Sequence, residues 1–141
     1  MSRAVDPVGR TISARIGPNE DLTRGVERVC AEAGIEHAVV RMGIGSLIDG
    51  CMRVRDSDIE VPGPVVEIIT MAGEVRPGPD GAPHADLSGR IGGPDGSAWD
   101  GTFVVDRNTV LVTAEIVLQE RLPAGSAAGN ARARASGRAQ K

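Results

Sequence analysis

Two Pro-Asp-Gly segments, Pro79-Asp80-Gly81 and Pro94-Asp95-Gly96, do most to limit what this chain can fold into. Proline presets the φ of a turn, aspartate bonds to the backbone two residues on, and glycine takes the left-handed conformation that closes it. The stretch between the turns, Pro83 to Ile91, has the length of one strand. On either side lie further β-patterned runs, from Val65 to Val75, from Ser97 to Val105 and from Thr109 to Arg121. Strands joined this closely pair as antiparallel neighbours.

The first half of the chain adds one helix and more sheet. Arg10 to Ile16 alternates polar and apolar, as a half-buried strand does, and Gly17-Pro18-Asn19 breaks it. Leu22, Val26, Val29, Cys30 and Ala33 then recur at helical spacing. Asn19 or Asp21 can cap that helix, and Gly34 ends it. Ile35 to Met42 and Ser46 to Val54 read as strands around Gly43-Ile44-Gly45, where paired glycines predict a bulge or a close backbone approach. Asp56 to Pro64 is acidic and punctuated by Pro and Gly, which predicts a loop. The fold class is therefore α+β: an antiparallel or mixed sheet of about seven strands, with the long run from Val65 to Val75 central and one main helix packed against it.

At 141 residues the chain has the length of one domain. Met1 to Gly9 reads as a loose lead-in, 10–123 as the folded body, and 124–141 as a tail of Ala, Gly, Ser, Arg and Asn too poor in apolar residues to offset its ordering entropy. The core has few aromatics to draw on, because the chain has one Phe, one Trp and no Tyr. Subunit association is then a further source of stability. Cys30 and Cys51 form no Cys-x-x-Cys and read as reduced, mostly buried thiols. No apolar run approaches a membrane span and no signal-peptide core precedes the body, so a cytoplasmic protein is expected.

Charge is unevenly divided. Residues 1–123 hold 12 basic and 19 acidic residues, a net −7, whereas the tail carries +4. Duplex binding takes most of its affinity from basic groups that displace counterions, so nucleic acid is expected to bind weakly or not at all.

The order of these segments resembles the PPC domain, also called PCC, a domain conserved in plants and prokaryotes. The resemblance runs from about Arg10 to Glu120. It is carried by Gly17-Pro18-Asn19-Glu20-Asp21-Leu22 at the helix start, Gly43-Ile44-Gly45-Ser46-Leu47, the Glu67-Ile68 strand closing at Gly73, the His84 strand, and a last strand around Glu115. It implies a homotrimer with pockets between subunits. It also adds weight to Glu67, which matches the glutamate of a Gly-Arg-Phe-Glu-Ile-Leu stretch that plant members use to engage partners, although Pro64-Val65-Val66 replaces the Gly-Arg-Phe part here. Plant members bind DNA through Arg-Gly-Arg-Pro hooks, and this chain has none.

Metal-binding members of that family place a His-x-His pair on one strand and a third histidine on the next. Here the pair is His84 and Asp86, and Thr102 stands where the third histidine would be, within Ala98-Trp99-Asp100-Gly101-Thr102-Phe103. The three-histidine site is incomplete. His84 and Asp86 share a strand face, and Glu67 or Asp100 would complete a mixed nitrogen and oxygen site for a divalent metal. Without metal, His84 could act as a general acid or base, oriented by Asp86 and assisted by Glu67. The plain alternative is a solvated histidine after a proline turn.

Glu67 and Glu115 lie in apolar strands, where an unpaired carboxylate is costly, so each should have a partner or line a cavity. Arg41 and Arg90 are candidates to hold an anionic ligand group, with Trp99, Asp100 and Thr102 as neighbouring contacts. Two functions follow as expectations. One is a trimeric binding or regulatory module for a small ligand or protein partner. The other is an enzyme acting on a small carbonyl or carboxylate compound around His84, with or without a metal. A third arrangement makes this chain the degenerate partner of an intact paralogue in a mixed trimer.

Overall fold

The computed structural model describes residues 7–123. The expected disordered tail and most of the lead-in lie outside the described residues. Nine elements follow one another: β1 (Val8–Ile16), α1 (Leu22–Ala33), β2 (Ala38–Leu47), β3 (Gly50–Val54), β4 (Ser57–Val61), β5 (Val66–Pro77), β6 (Pro83–Gly92), β7 (Ala98–Phe103) and β8 (Val110–Arg121). The strands form one sheet in the order β1-β8-β2-β5-β6-β7-β3-β4. Every pairing in it is antiparallel.

The sheet has eight strands where the sequence led us to expect about seven. The additional strand is β4, in a segment read as a loop because it is acidic and flanked by Pro and Gly. β4 pairs on one side only, with Met52 opposite Ile59 and Arg53 opposite Asp58. An edge strand tolerates charge on its solvent face, and such charge blocks pairing with other chains, so the composition that suggested a loop is that of a protected edge. The boundary inside the glycine segment also moves. β2 runs through Gly43-Ile44-Gly45 to Leu47, and β3 begins only at Gly50. Register shifts mark the bulges between Val40 and Met42 and between Gly45 and Leu47. Gly45 has φ 153°, and a Cβ there would sit 2.4 Å from the Thr113 carbonyl oxygen, so the glycine permits the close approach of β2 to β8.

α1 lies against β6 and β1. Asp21 caps it by accepting from the Arg24 N–H at 3.1 Å, and Gly34 closes it in the left-handed conformation at φ 67°. Its buried residues Leu22, Val26, Val29 and Cys30 join Ile16, Val40, Leu47, Met71, Leu87, Ile116 and Leu118 in one apolar cluster. Gly25 allows close packing, since a Cβ there would lie 2.5 Å from the Ile16 side chain. Among the described residues, the sheet therefore has a face covered by α1 and an outer face without a helix.

Candidate functional site

Register assigns each predicted residue to a face, because directly opposed residues of an antiparallel pair project to the same side. Ser88 opposes Thr102, Arg90 opposes Asp100, Glu74 opposes Asp86, and Arg76 opposes His84. These positions alternate with buried Ala85, Leu87 and Ile91, which places them on the outer face. Ile91 opposes Trp99, so Trp99 belongs to the covered side, at a margin where it stays 37% exposed. The predicted ligand-contact set is thus divided: Arg90, Asp100 and Thr102 share the outer face, and Trp99 does not.

His84 and Asp86 do come together. Nε2 of His84 lies 3.7 Å from Oδ1 of Asp86, a gap too long for a hydrogen bond, and both side chains are about half exposed. The other Asp86 oxygen accepts from Arg76 Nη2 at 3.0 Å, and Arg76 Nη1 lies 3.6 Å from Glu74. A cation at His84 and Asp86 would meet the Arg76 guanidinium, and among the described residues no group of three or more His, Cys, Asp or Glu is placed to hold a metal ion. The residues present do not fit a divalent metal.

Glu67 opposes Gly92, eight residues along β6 from His84. At about 3.3 Å per residue the separation is roughly 26 Å, so the two share no site within one protomer. Glu67 is exposed and stands beside Ser46, and it needs no internal partner. Glu115 is ion-paired with Arg15 at 3.2 Å on the outer face. Glu115 therefore has the partner expected of it and Glu67 does not need one, because both point outward from strands whose inward positions are apolar.

The embedded carboxylate is Glu120, 1% exposed. It accepts from Arg10 Nε at 3.0 Å, from Arg10 Nη2 at 3.3 Å and from the Arg10 backbone N–H at 3.2 Å. Gly9 makes room for it, since a Cβ there would lie 2.5 Å from Glu120 Oε1. A sequence signal existed: Glu120 continues the alternate buried positions Ala114, Ile116 and Leu118 of β8. Asn108 was also missed. Fully buried, it accepts from the Cys51 N–H at 2.9 Å and donates to the carbonyls of Cys51 at 2.8 Å and Val104 at 3.0 Å, tying the loop before β8 to β3. Burial pushes the Cys30 thiol up to about 11, with the Glu120 and Glu27 charges adding to the effect, and the thiol is inert at neutral pH.

The outer face carries Met42, Ile44 and Ile69, each about half exposed. Gly45 opposes Ile68, so Ile44 and Ile69 are cross-strand neighbours, and Met42 follows two residues along the same face. Around them stand the ion pairs Arg15–Glu115 and Arg90–Asp100, the latter at 3.0 Å. Arg41 is exposed at the β2 bulge beside Met42 and forms no ion pair among the described residues.

Comparison with known proteins places this geometry. The chain matches the Plants and Prokaryotes Conserved (PCC) domain over residues 3–121. Among solved structures, the plant- and prokaryote-conserved protein of Pyrococcus horikoshii is 27% identical, with a TM-score of 0.71 over 87% of this chain and 86% of that one. A metal-containing protein from Archaeoglobus fulgidus is 22% identical, with a TM-score of 0.71 over 86% of each chain. A candidate DNA-binding protein from Bacteroides thetaiotaomicron is 18% identical, with a TM-score of 0.68 over 82% of this chain and 83% of that one. The last two share the fold. No curated protein is significantly similar to the chain. The family match across nearly the whole folded body, together with the similarity of fold to the Pyrococcus horikoshii protein, makes the chain a member of the PCC domain family.

Proposed function

We propose that this chain is a binding module that associates with copies of itself, as a homotrimer by family resemblance, through the outer face of its sheet. Recognition of a small ligand or protein partner then falls to polar groups at the margins of that interface. The observation that carries this reading is the exposed apolar group Met42, Ile44 and Ile69 at the centre of a sheet face that no helix covers. Contiguous exposed apolar surface rimmed by polar residues marks interaction sites. A second copy is the occupant that suits it. The rim charges Arg15, Glu115, Arg90 and Asp100 are already neutralised in pairs, which leaves little for a highly charged partner to grip and a surface compatible with its own kind.

The test is sedimentation velocity on the full chain and on Ile44→Glu, with Arg55→Glu as an exposed control in the β3–β4 turn. Assembly in the wild type and the control, with a folded monomer for Ile44→Glu, is the expected result. A wild type that assembles only with a three-histidine relative would transfer the occupant from a copy of this chain to that paralogue. Unchanged assembly in Ile44→Glu would remove the outer face from the interface.

The enzymatic reading draws on a single observation, the nearness of His84 to Asp86. It requires turnover of a small carbonyl or carboxylate compound that disappears in His84→Ala. Duplex DNA, the ligand suggested for some relatives, finds few free cations here. At least eight of the eleven arginines among the described residues are ion-paired to carboxylates. A site able to release counterions needs uncommitted basic groups on one surface.

A further inference from the structure

We infer that Arg41 of one copy pairs with Glu67 of a neighbouring copy, and that this pair fixes the register in which the outer faces associate. The inference rests on the self-association proposed above and names the contact that makes it specific.

β2 and β5 carry the apolar group, and their charged side chains are Arg41, Glu67, Glu74 and Arg76. Glu74 and Arg76 lie 3.6 Å apart, and Arg76 also holds Asp86 at 3.0 Å. Arg41 and Glu67 form no ion pair and no side-chain hydrogen bond among the described residues.

These two charges stand at opposite ends of the apolar group. Arg41 precedes Met42 at the β2 bulge, where two successive exposed residues lie between buried Val40 and buried Gly43, so both face out. Glu67 projects outward between buried Val66 and buried Ile68, two residues before Ile69, and it opposes Ser46. Ser46 is five residues along β2 from Arg41. At about 3.3 Å per residue, a positive and a negative charge are set roughly 16 Å apart, with Met42, Ile44 and Ile69 between them.

A second copy that covers the apolar group reaches both ends. Burying either charge alone is costly, whereas opposite signs at opposite ends let Arg41 of one copy meet Glu67 of the next. Twofold and threefold closure are both compatible with this pattern, because in each the positive end of one copy can face the negative end of another. No charge is then left over. The rim pairs Arg15–Glu115 and Arg90–Asp100 are satisfied within the chain, so Arg41 and Glu67 supply the complementarity between copies that those pairs do not.

Sedimentation velocity at low salt on charge-reversal variants of the full chain tests the pair. Arg41→Glu and Glu67→Arg each set like charges against one another across the contact, and each should weaken association at least about tenfold. The double variant Arg41→Glu/Glu67→Arg restores opposite charges in every contact and should return affinity to within about threefold of the wild type. Arg55→Glu makes the same change in net charge as Arg41→Glu away from the face, and it should assemble normally. Circular dichroism establishes that a variant which fails to assemble is still folded. Arg41→Gln and Glu67→Gln, expected to weaken association in the same direction, replace any reversal that is not. Single reversals that assemble like the wild type, or a double reversal no better than the singles, would overturn the pair while leaving the outer face as the interface. A wild type that is monomeric at every concentration would instead overturn the self-association on which the pair rests.

Discussion

The two faces of one sheet obey different rules. On the covered face Ile116, Leu118, Leu47, Ile91 and Met71 close against one another and α1, and positions a single residue away point to a surface of mixed character. On that outer face Met42, Ile44 and Ile69 remain half exposed between neutralised ion pairs. The covered face is complete within one chain. Among the described residues the outer face has the apolar content of an interior without the layer that would make it one, and the comparison is what motivates the proposal that a second copy supplies that layer.

The largest effect that sharpens this contrast is a pair of truncations. Leu118→Ala removes a fully buried side chain from the covered face and should cost about 3 kcal/mol, whereas Ile44→Ala, measured at concentrations too low for assembly, should cost less than about 0.5 kcal/mol. Chemical denaturation of both checks it, and equal costs would mean that the outer face is packed within the protomer. Asn108→Ala comes next. It leaves the buried Cys51 N–H without an acceptor and takes one of two donors from each of the Cys51 and Val104 carbonyls, so a loss of about 2 kcal/mol is expected in the same assay.

A smaller effect should appear on the alkaline side. Because the Cys30 thiol is raised from 9.0 to about 11 in the fold, the folded state keeps a proton that the unfolded chain loses. Its contribution is intact below pH 9.0 and is lost as pH rises towards about 11. Thermal unfolding as a function of pH, compared with Cys30→Ala, should show the wild type declining more steeply in that window. The smallest change is expected from Arg15→Gln, which breaks an exposed outer-face pair worth roughly 0–1 kcal/mol. If that variant lowers protomer stability by more, the rim charges support the fold and not merely the surface.

Much of the architecture was legible in the chain. The Pro-Asp-Gly turns close as their composition requires, with Gly81 and Gly96 at positive φ and Asp80 and Asp95 accepting from the backbone two residues on. Helical spacing from Leu22 to Ala33 gave the helix to within its caps. β4 escaped because an edge strand and an acidic loop share a composition, and only pairing with β3 distinguishes them. The site was less legible. Strand spacing placed His84 beside Asp86, but which residues of different strands meet depends on register, and register put Glu67 at the far end of β6 and Trp99 on the opposite side from Arg90. Glu120 and Arg10 lie 110 positions apart in sequence, and no local pattern joins them.

Sedimentation equilibrium of the wild-type chain across a wide concentration range tests the central claim most directly. Self-association through the outer face predicts a mass that is a whole-number multiple of the 14.6 kDa protomer, threefold by family resemblance, and that falls towards one protomer on dilution. A mass of 14.6 kDa at every concentration would contradict it.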